Sequence, residues 1–353
     1  MAIPSRMEDR ILVLSKLKQT SYATILTDVQ LQGGKRFMPE AAVFGQPDIK
    51  RYSTRPLSMT GHDYAIQLQQ VERSVQETMT FPMESWLAAW TAAFGMGLVT
   101  SSQPNVGTNP TAWKHVIKPF DPSAGPKDLP VTTIYTEAAN VGGLQRRLQS
   151  MCVKDFSLEF PASAPGKITV NLIGSGQITT GVLATPPAIP TYNLLMSNDM
   201  SFLYGPQGAP VDISSQVVLG SVKFTFTWQM DDANSRAPGG GLYRSRAWAT
   251  QPDITLTFNR FVDDALSTPD DDWLADTIQE VNMTVAGPIL GVGPEKHQIN
   301  IRGLAVVPTI VKLGQSGNKS VYQYTFSPDH WLKQGAADVV TITCQNLETS
   351  FLV

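Results

Sequence analysis

From Ser221 to Met230 apolar and polar residues alternate without a break. Val222, Phe224, Phe226, Trp228 and Met230 fall on one side, and Ser221, Lys223, Thr225, Thr227 and Gln229 on the other. A period of two is the signature of a strand with one buried and one wet face. A second run, 253–258, puts Ile254, Leu256 and Phe258 on one face. The two predict a long hairpin whose tip, 231–252, is far longer than the usual two to five residues. That tip carries Gly239, Gly240 and Gly241 with Arg236, Tyr243, Arg244, Arg246 and Trp248, residue types that anchor interfaces. A short acidic helix is expected next, at 270–278, with Trp273 as its packing residue.

The same order of parts occurs earlier. Tyr64, Ile66 and Leu68 alternate with polar residues, and Val75, Met79 and Phe81 resume the pattern after Glu72-Arg73, which predicts a first hairpin turning there. Pro82 is expected to open a helix, since its missing N–H is unneeded in a first turn. Trp86, Trp90 and Phe94 recur at helical spacing, a stripe expected to plug one end of a sheet, and Gly95 and Gly97 are expected to end the helix. Glu84-Ser85-Trp86-Leu87-Ala88 echoes Asp271-Asp272-Trp273-Leu274-Ala275. Hairpin, short helix and further strands, twice over, predict a duplicated mainly β domain.

The expected division is an N-terminal arm (1–30), a first β-domain (31–185), a Pro/Gly/Ser-rich junction (186–216) and a second β-domain (217–353). Further strands are expected at 113–120, 131–137, 151–160, 167–173, 281–287, 297–307, 321–326 and 338–347, with a loop at 100–111. Residues 7–18 fit a short helix or an arm that docks on a neighbour. The apolar tail Phe351-Leu352-Val353 is expected to dock.

Composition narrows the class. The chain has 353 residues, 42% hydrophobic but 16% charged, well under the usual quarter. Ser, Thr, Asn, Gln, Gly and Pro replace the charge, which suits sheets whose outer faces meet other protein. The net charge of −3 leaves no basic excess for nucleic-acid binding by counterion release. No apolar run is long enough to span a membrane, and the N-terminus lacks the apolar core of a secretory signal. Cys152 and Cys344 read as buried reduced thiols.

Tests for chemistry turn up no active site. His62, His115, His297 and His330 lack metal-ligand spacing. Gly314-Gln315-Ser316-Gly317 lacks the following glycine position of a nucleophile elbow and reads as a hairpin turn. The triple glycine has no phosphate-loop context. The acidic cluster Asp263, Asp264, Asp270, Asp271, Asp272 and Asp276 does not follow a calcium-loop pattern. Carboxylates just before a helix stabilise its N-terminus, and this cluster is also a candidate subunit contact. No enzymatic activity, cofactor or metal is expected.

The hairpin–helix unit at 67–94, the strand pair at 151–173, the hairpin at 221–261 and the closing strands at 297–347 together resemble the bacteriophage tail tube proteins. The resemblance implies tandem β-sandwich-like domains, each with a long hairpin and a short helix, whose inner sheets join between subunits into a β-barrel. It implies a structural virion protein, assembled in the host cytoplasm, that forms trimeric, pseudo-hexameric rings stacked into a hollow tube for DNA ejection. Implied partners are further copies of the chain, a tape measure protein and passing DNA in the lumen, and terminator and distal tail or baseplate proteins at the ends. Arg236, Tyr243, Arg244, Arg246 and Trp248 are the expected inter-ring contacts. A carbohydrate-binding β-sandwich surface protein is the alternative, and it calls for aromatics clustered on loops or an exposed sheet face.

Overall fold

Alternation in the sequence becomes two antiparallel sheets. The structure, a computed structural model, describes residues 10–40, 45–54, 67–121, 127–138, 145–231, 242–262, 275–334 and 338–353. In order, its elements are β1 (Arg10–Leu14), α1 (Asp28–Gln32), β2 (Lys35–Phe37), β3 (Pro47–Thr54), β4 (Gln67–Pro82), α2 (Ser85–Met96), β5 (Gly97–Ser102), β6 (Trp113–Pro119), β7 (Lys127–Asp128), β8 (Thr132–Ala138), β9 (Arg146–Glu159), β10 (Lys167–Gly174), β11 (Ile178–Thr180), β12 (Met200–Pro206), β13 (Val211–Asp212), β14 (Lys223–Met230), β15 (Trp248–Phe261), β16 (Gln279–Ile289), β17 (Lys296–Val306), β18 (Ile310–Ser316), β19 (Lys319–Phe326) and β20 (Thr341–Asn346). The fold is mainly β, as expected.

Among the described residues the larger sheet has thirteen strands, eight of them on its main path, β3-β4-β10-β9-β14-β15-β19-β18. This path consists of one four-strand pattern used twice. In chain order the first four strands are β3, β4, β9 and β10, and the second four are β14, β15, β18 and β19. Each set is laid down as first, second, fourth, third, in the same direction. The last strand of the first set, β9, pairs with the first strand of the second, β14. The smaller sheet, again among the described residues, has seven strands, β13-β12-β16-β17-β20-β6-β5, and draws on both halves of the chain.

Helix α2 lies between the sheets, touching β9 of the larger and β5, β6, β17 and β20 of the smaller. All twelve of its residues are buried. The expected single aromatic stripe is therefore corrected: Ala88, Ala89, Ala92 and Ala93 are buried as well as Trp86, Trp90 and Phe94, and a helix apolar all round belongs in a core. Pro82 is the last residue of β4; the helix starts at Ser85, capped by Glu84. It ends at Gly97, whose φ of 93° is the left-handed cap that glycine adopts freely.

Four other expectations are corrected. Residues 10–14 are a strand, held between β2 and β8. The first hairpin is β3–β4, so Glu72-Arg73 lies within a continuous sixteen-residue strand. The loop expected at 100–111 begins as edge strand β5. The stretch expected as a junction, 186–216, contains β12 and β13, with Phe202 and Tyr204 buried. The 221–230 strand and its 253–258 partner are found as β14 and β15, in register from Lys223↔Thr257 to Trp228↔Pro252, with a shift before Met230↔Ala249. Gly317, at φ 61°, makes the tight β18–β19 turn. The acidic helix expected at 270–278 falls largely outside the described residues; Asp276 itself sits in a turn at φ 49°.

Candidate assembly surfaces

The inner face of the larger sheet is aromatic. Phe156 stacks on Phe226 at 5.5 Å, and Phe258 on Tyr324 at 4.8 Å. Alternation then obliges the outer face to be polar, and strand register arranges it in rows. Thr80, Thr169, Ser157, Thr225 and Thr255 face one another across five adjacent strands. The next row is Thr78, Asn171, Asp155, Thr227 and Asp253. On the other side run Lys167, Glu159, Lys223, Thr257 and Thr325. Thr78 donates to Asn171 Oδ1 at 2.6 Å, and Gln229 Nε2 donates to the Asp253 carboxylate at 3.2 Å. Across these rows two lysines meet three carboxylates, with Lys223 paired to Glu159 at 2.6 Å. The face is hydroxyl-rich and close to neutral, and it crosses the β9–β14 junction without interruption.

Among the described residues the main path of this sheet ends on β3 at one edge and β18 at the other. Edge strands offer unpaired backbone groups to another chain.

Both long hairpins leave the sheet at the same end, and the return leg of the second is fastened to the body. The Arg73 amide donates to Leu242 O at 2.8 Å, Arg244 N to Ser175 O at 3.2 Å, and Leu129 N to Ala247 O at 2.9 Å. Tyr243 lies under the Arg73 guanidinium, 5.9 Å from the ring centre, and Arg244 is buried. Arg246 is exposed and stacks over Trp248 at 4.9 Å, beside β7. The four residues thus form two separate groups along one leg. Arg236, Asp263, Asp264, Asp270, Asp271, Asp272 and Trp273 lie outside the described residues.

The helix-packing residues sit where the two halves and the C-terminus meet. Trp86 Nε1 donates to Glu348 Oε2 at 3.1 Å, and Trp90 Nε1 to Ser15 O at 2.8 Å. Phe94 packs on Trp90 at 5.0 Å. Glu84 Oε2 accepts the Trp86 and Leu87 amides, both at 3.0 Å. Burial pushes the Glu84 carboxyl up, against the nearby Lys35 charge and these amides. Lys35 is pushed down by burial, partly offset by Glu84 and Glu348, and its ammonium lies 5.0 Å over the Trp86 ring.

Burial also opposes ionisation of Glu348, but its bond to Lys16 at 2.5 Å prevails and holds it below the usual carboxylate range. The tail docks as expected, with Phe351 buried against Trp86 and His115, and Leu352 N donating to Lys16 O at 2.9 Å. His115 bonds Asn346 Oδ1 at 3.2 Å and His297 bonds Ser85 Oγ at 2.7 Å; burial lowers the pKa of both. Sequence reasoning missed this polar cluster, because its members come from six separate parts of the chain. Its bonds tie helix, tail and sheet together, a structural task.

Cys152 and Cys344 are buried and form no disulfide, and Cys152 Sγ donates to Ile173 O at 3.3 Å. Among the described residues no group of three or more His, Cys, Asp or Glu side chains could hold a metal ion, and no helix is long and apolar enough to cross a membrane.

The family model for phage tail tube proteins matches residues 12–316. No curated protein matches the chain. The matched span covers both four-strand sets up to β18 and most of the core, and the chain belongs to the phage tail tube protein family.

Proposed function

We propose that this structural tail tube protein polymerises as stacked trimeric rings into the hollow tube through which phage DNA passes. The observation that carries the proposal is the repeated strand order. Within one chain, the end of the first set joins the start of the second through β9 and β14. The same join made between chains sets β18 of one copy against β3 of the next. A sheet continued in this way leaves no edge once the ring closes. With two sets per chain, the tandem domains 31–185 and 217–353, three chains give a pseudo-sixfold ring.

The hydroxyl-rich face then lines the bore. Passing DNA carries about one negative charge per 1.7 Å, so a lysine-rich wall would hold it by counterion release, whereas a near-neutral wall of hydroxyls and a few carboxylates would not. On the return leg of the long hairpin, exposed Arg246 and its partner Trp248 would meet the next ring, while buried Arg244 and Tyr243, held against Arg73, anchor the leg to its own chain. Tape measure, terminator and distal tail proteins meet the lumen and the two tube ends.

The test is assembly followed by DNA retention. Concentrated wild-type protein is expected to give hollow tubes in electron micrographs and to release linear DNA on washing at moderate salt. Tubes of a Thr225→Lys/Thr255→Lys variant are expected to retain DNA, with retention lost as salt rises. Dispersed monomers under all conditions, or Lys-variant tubes that release DNA like wild type, would contradict the proposal.

A further inference from the structure

At one end of the smaller sheet a small apolar knob stands out. Val292 is 83% exposed and Ile289 61%, both at the β16–β17 turn, and Val106, on the neighbouring 103–111 loop, is 64% exposed. The knob is held in shape. Buried Asn109 donates to Leu290 O at 2.6 Å and Glu295 Oε2 at 2.9 Å, and Thr111 Oγ1 donates to Asn109 Oδ1 at 2.9 Å. Gly291 takes φ 60°, and a Cβ at Gly293 would fall 2.6 Å from Glu295 Oε2. An apolar tip braced by a buried amide binds with little ordering cost.

At the opposite end of the same sheet lies a groove of about 850 Å³. Pairing fixes the two ends: Ser102 and Lys114 lie towards the knob, Gly97 and Pro119 towards the groove. Apolar Leu98, Val99, Phe120, Leu129, Pro130 and Val131 line one side of the groove, and polar residues, among them Lys18, Gln19, Asp128 and Arg246, make up as much of its wall. Leu98, on edge strand β5, is 46% exposed. Arg246 belongs to the return leg of the long hairpin, so the groove adjoins the surface assigned above to ring stacking.

We propose that the knob of one copy seats in this groove on a copy in the next ring. The inference rests on the tube reading and deepens it. A patch and its complement at opposite ends of one molecule make a heterologous contact, which propagates rather than closing into a dimer. The occupant is a second copy of this chain because the chain itself supplies a rigid apolar tip aimed away from its own groove, and because the family is one of tubes.

The test uses full-length protein. Val292→Glu and Leu98→Lys each change an exposed residue, so both are expected to stay folded by circular dichroism. Each is expected to slow tube growth at least about tenfold, equivalent to 1.4 kcal/mol of contact energy. The Val292→Glu/Leu98→Lys double variant is expected to recover part of the loss. A Val292→Cys/Leu98→Cys variant, assembled and then oxidised, is expected to give a ladder of covalently linked chains. Wild-type tubes alongside single variants that grow at the wild-type rate, or assembled cysteine tubes without a ladder, would overturn the knob-and-groove contact and leave the tube reading standing. If wild-type protein forms no tubes, both fall.

Discussion

Glu348 shows how a single side chain couples the tail to the core. Its carboxylate takes the Lys16 ammonium on one oxygen and the Trp86 indole on the other, so its folded pKa is depressed although burial works against ionisation. A depressed carboxylate contributes stability that is present above its unfolded value, about 4.3, and lost as pH falls through the folded value. His115 and His297 act higher on the scale. Burial lowers their folded pKa, so the unfolded chain takes protons first and stability declines as pH drops below about 6.5. Urea unfolding is therefore expected to show two acid stages. Glu348→Gln is expected to cost roughly 1–3 kcal/mol at pH 7 and to flatten the lower stage; an unchanged acid profile would show that the tail is not held this way. At the other end of the same cluster, Glu84→Ala removes the side-chain acceptor for two helix amides and is expected to destabilise by about 1 kcal/mol or more.

Among the elements, α2 is the one whose sequence is most constrained by its surroundings. A Cβ at Gly95 would lie 2.7 Å from the Phe156 ring. Helix propensity favours alanine there by about 1 kcal/mol, but overpacking costs about 1–3 kcal/mol, so Gly95→Ala is expected to lower the urea midpoint despite the better helix former. The long β14–β15 hairpin gives an assembly test. Deleting 232–241 leaves the bonds at Leu242, Arg244 and Ala247 in place and is expected to yield folded rings that stack poorly; tubes at the wild-type rate would remove the hairpin from the stacking surface. Strands such as β14 were legible in the sequence because every apolar residue of 222–228 meets the core. The Arg10–Leu14 strand was not, because a five-residue run fits either period and its partners lie more than twenty residues away. Glu72-Arg73 looked like a turn because β4 continues past the core, where polar side chains are allowed. The hydroxyl face could be read from alternation alone. The edges β3 and β18, and the knob at Val106, Ile289 and Val292, could not, since strand order and loop neighbours depend on long-range pairing.

For the whole molecule, the central claim is that one strand pattern, used twice in the chain, is continued between chains. The β9–β14 junction is the internal example, with Thr225 opposite Ser157 and Lys223 opposite Glu159. Its ion pair is half-exposed and adds little; the join rests on backbone ladders and on the aromatic layer beneath. Neighbouring chains have the same resources at β18 and β3, and closing the ring would bury the two edges of the larger sheet's main path at once. Cryo-electron microscopy of assembled wild-type protein, reconstructed to a resolution that traces strands, measures this directly. The expected result is three chains per ring, β18 of each paired with β3 of the next, and the row Thr80, Thr169, Ser157, Thr225 and Thr255 on the bore. Rings in which β18 and β3 stay unpaired, or a bore lined by the smaller sheet, would contradict it.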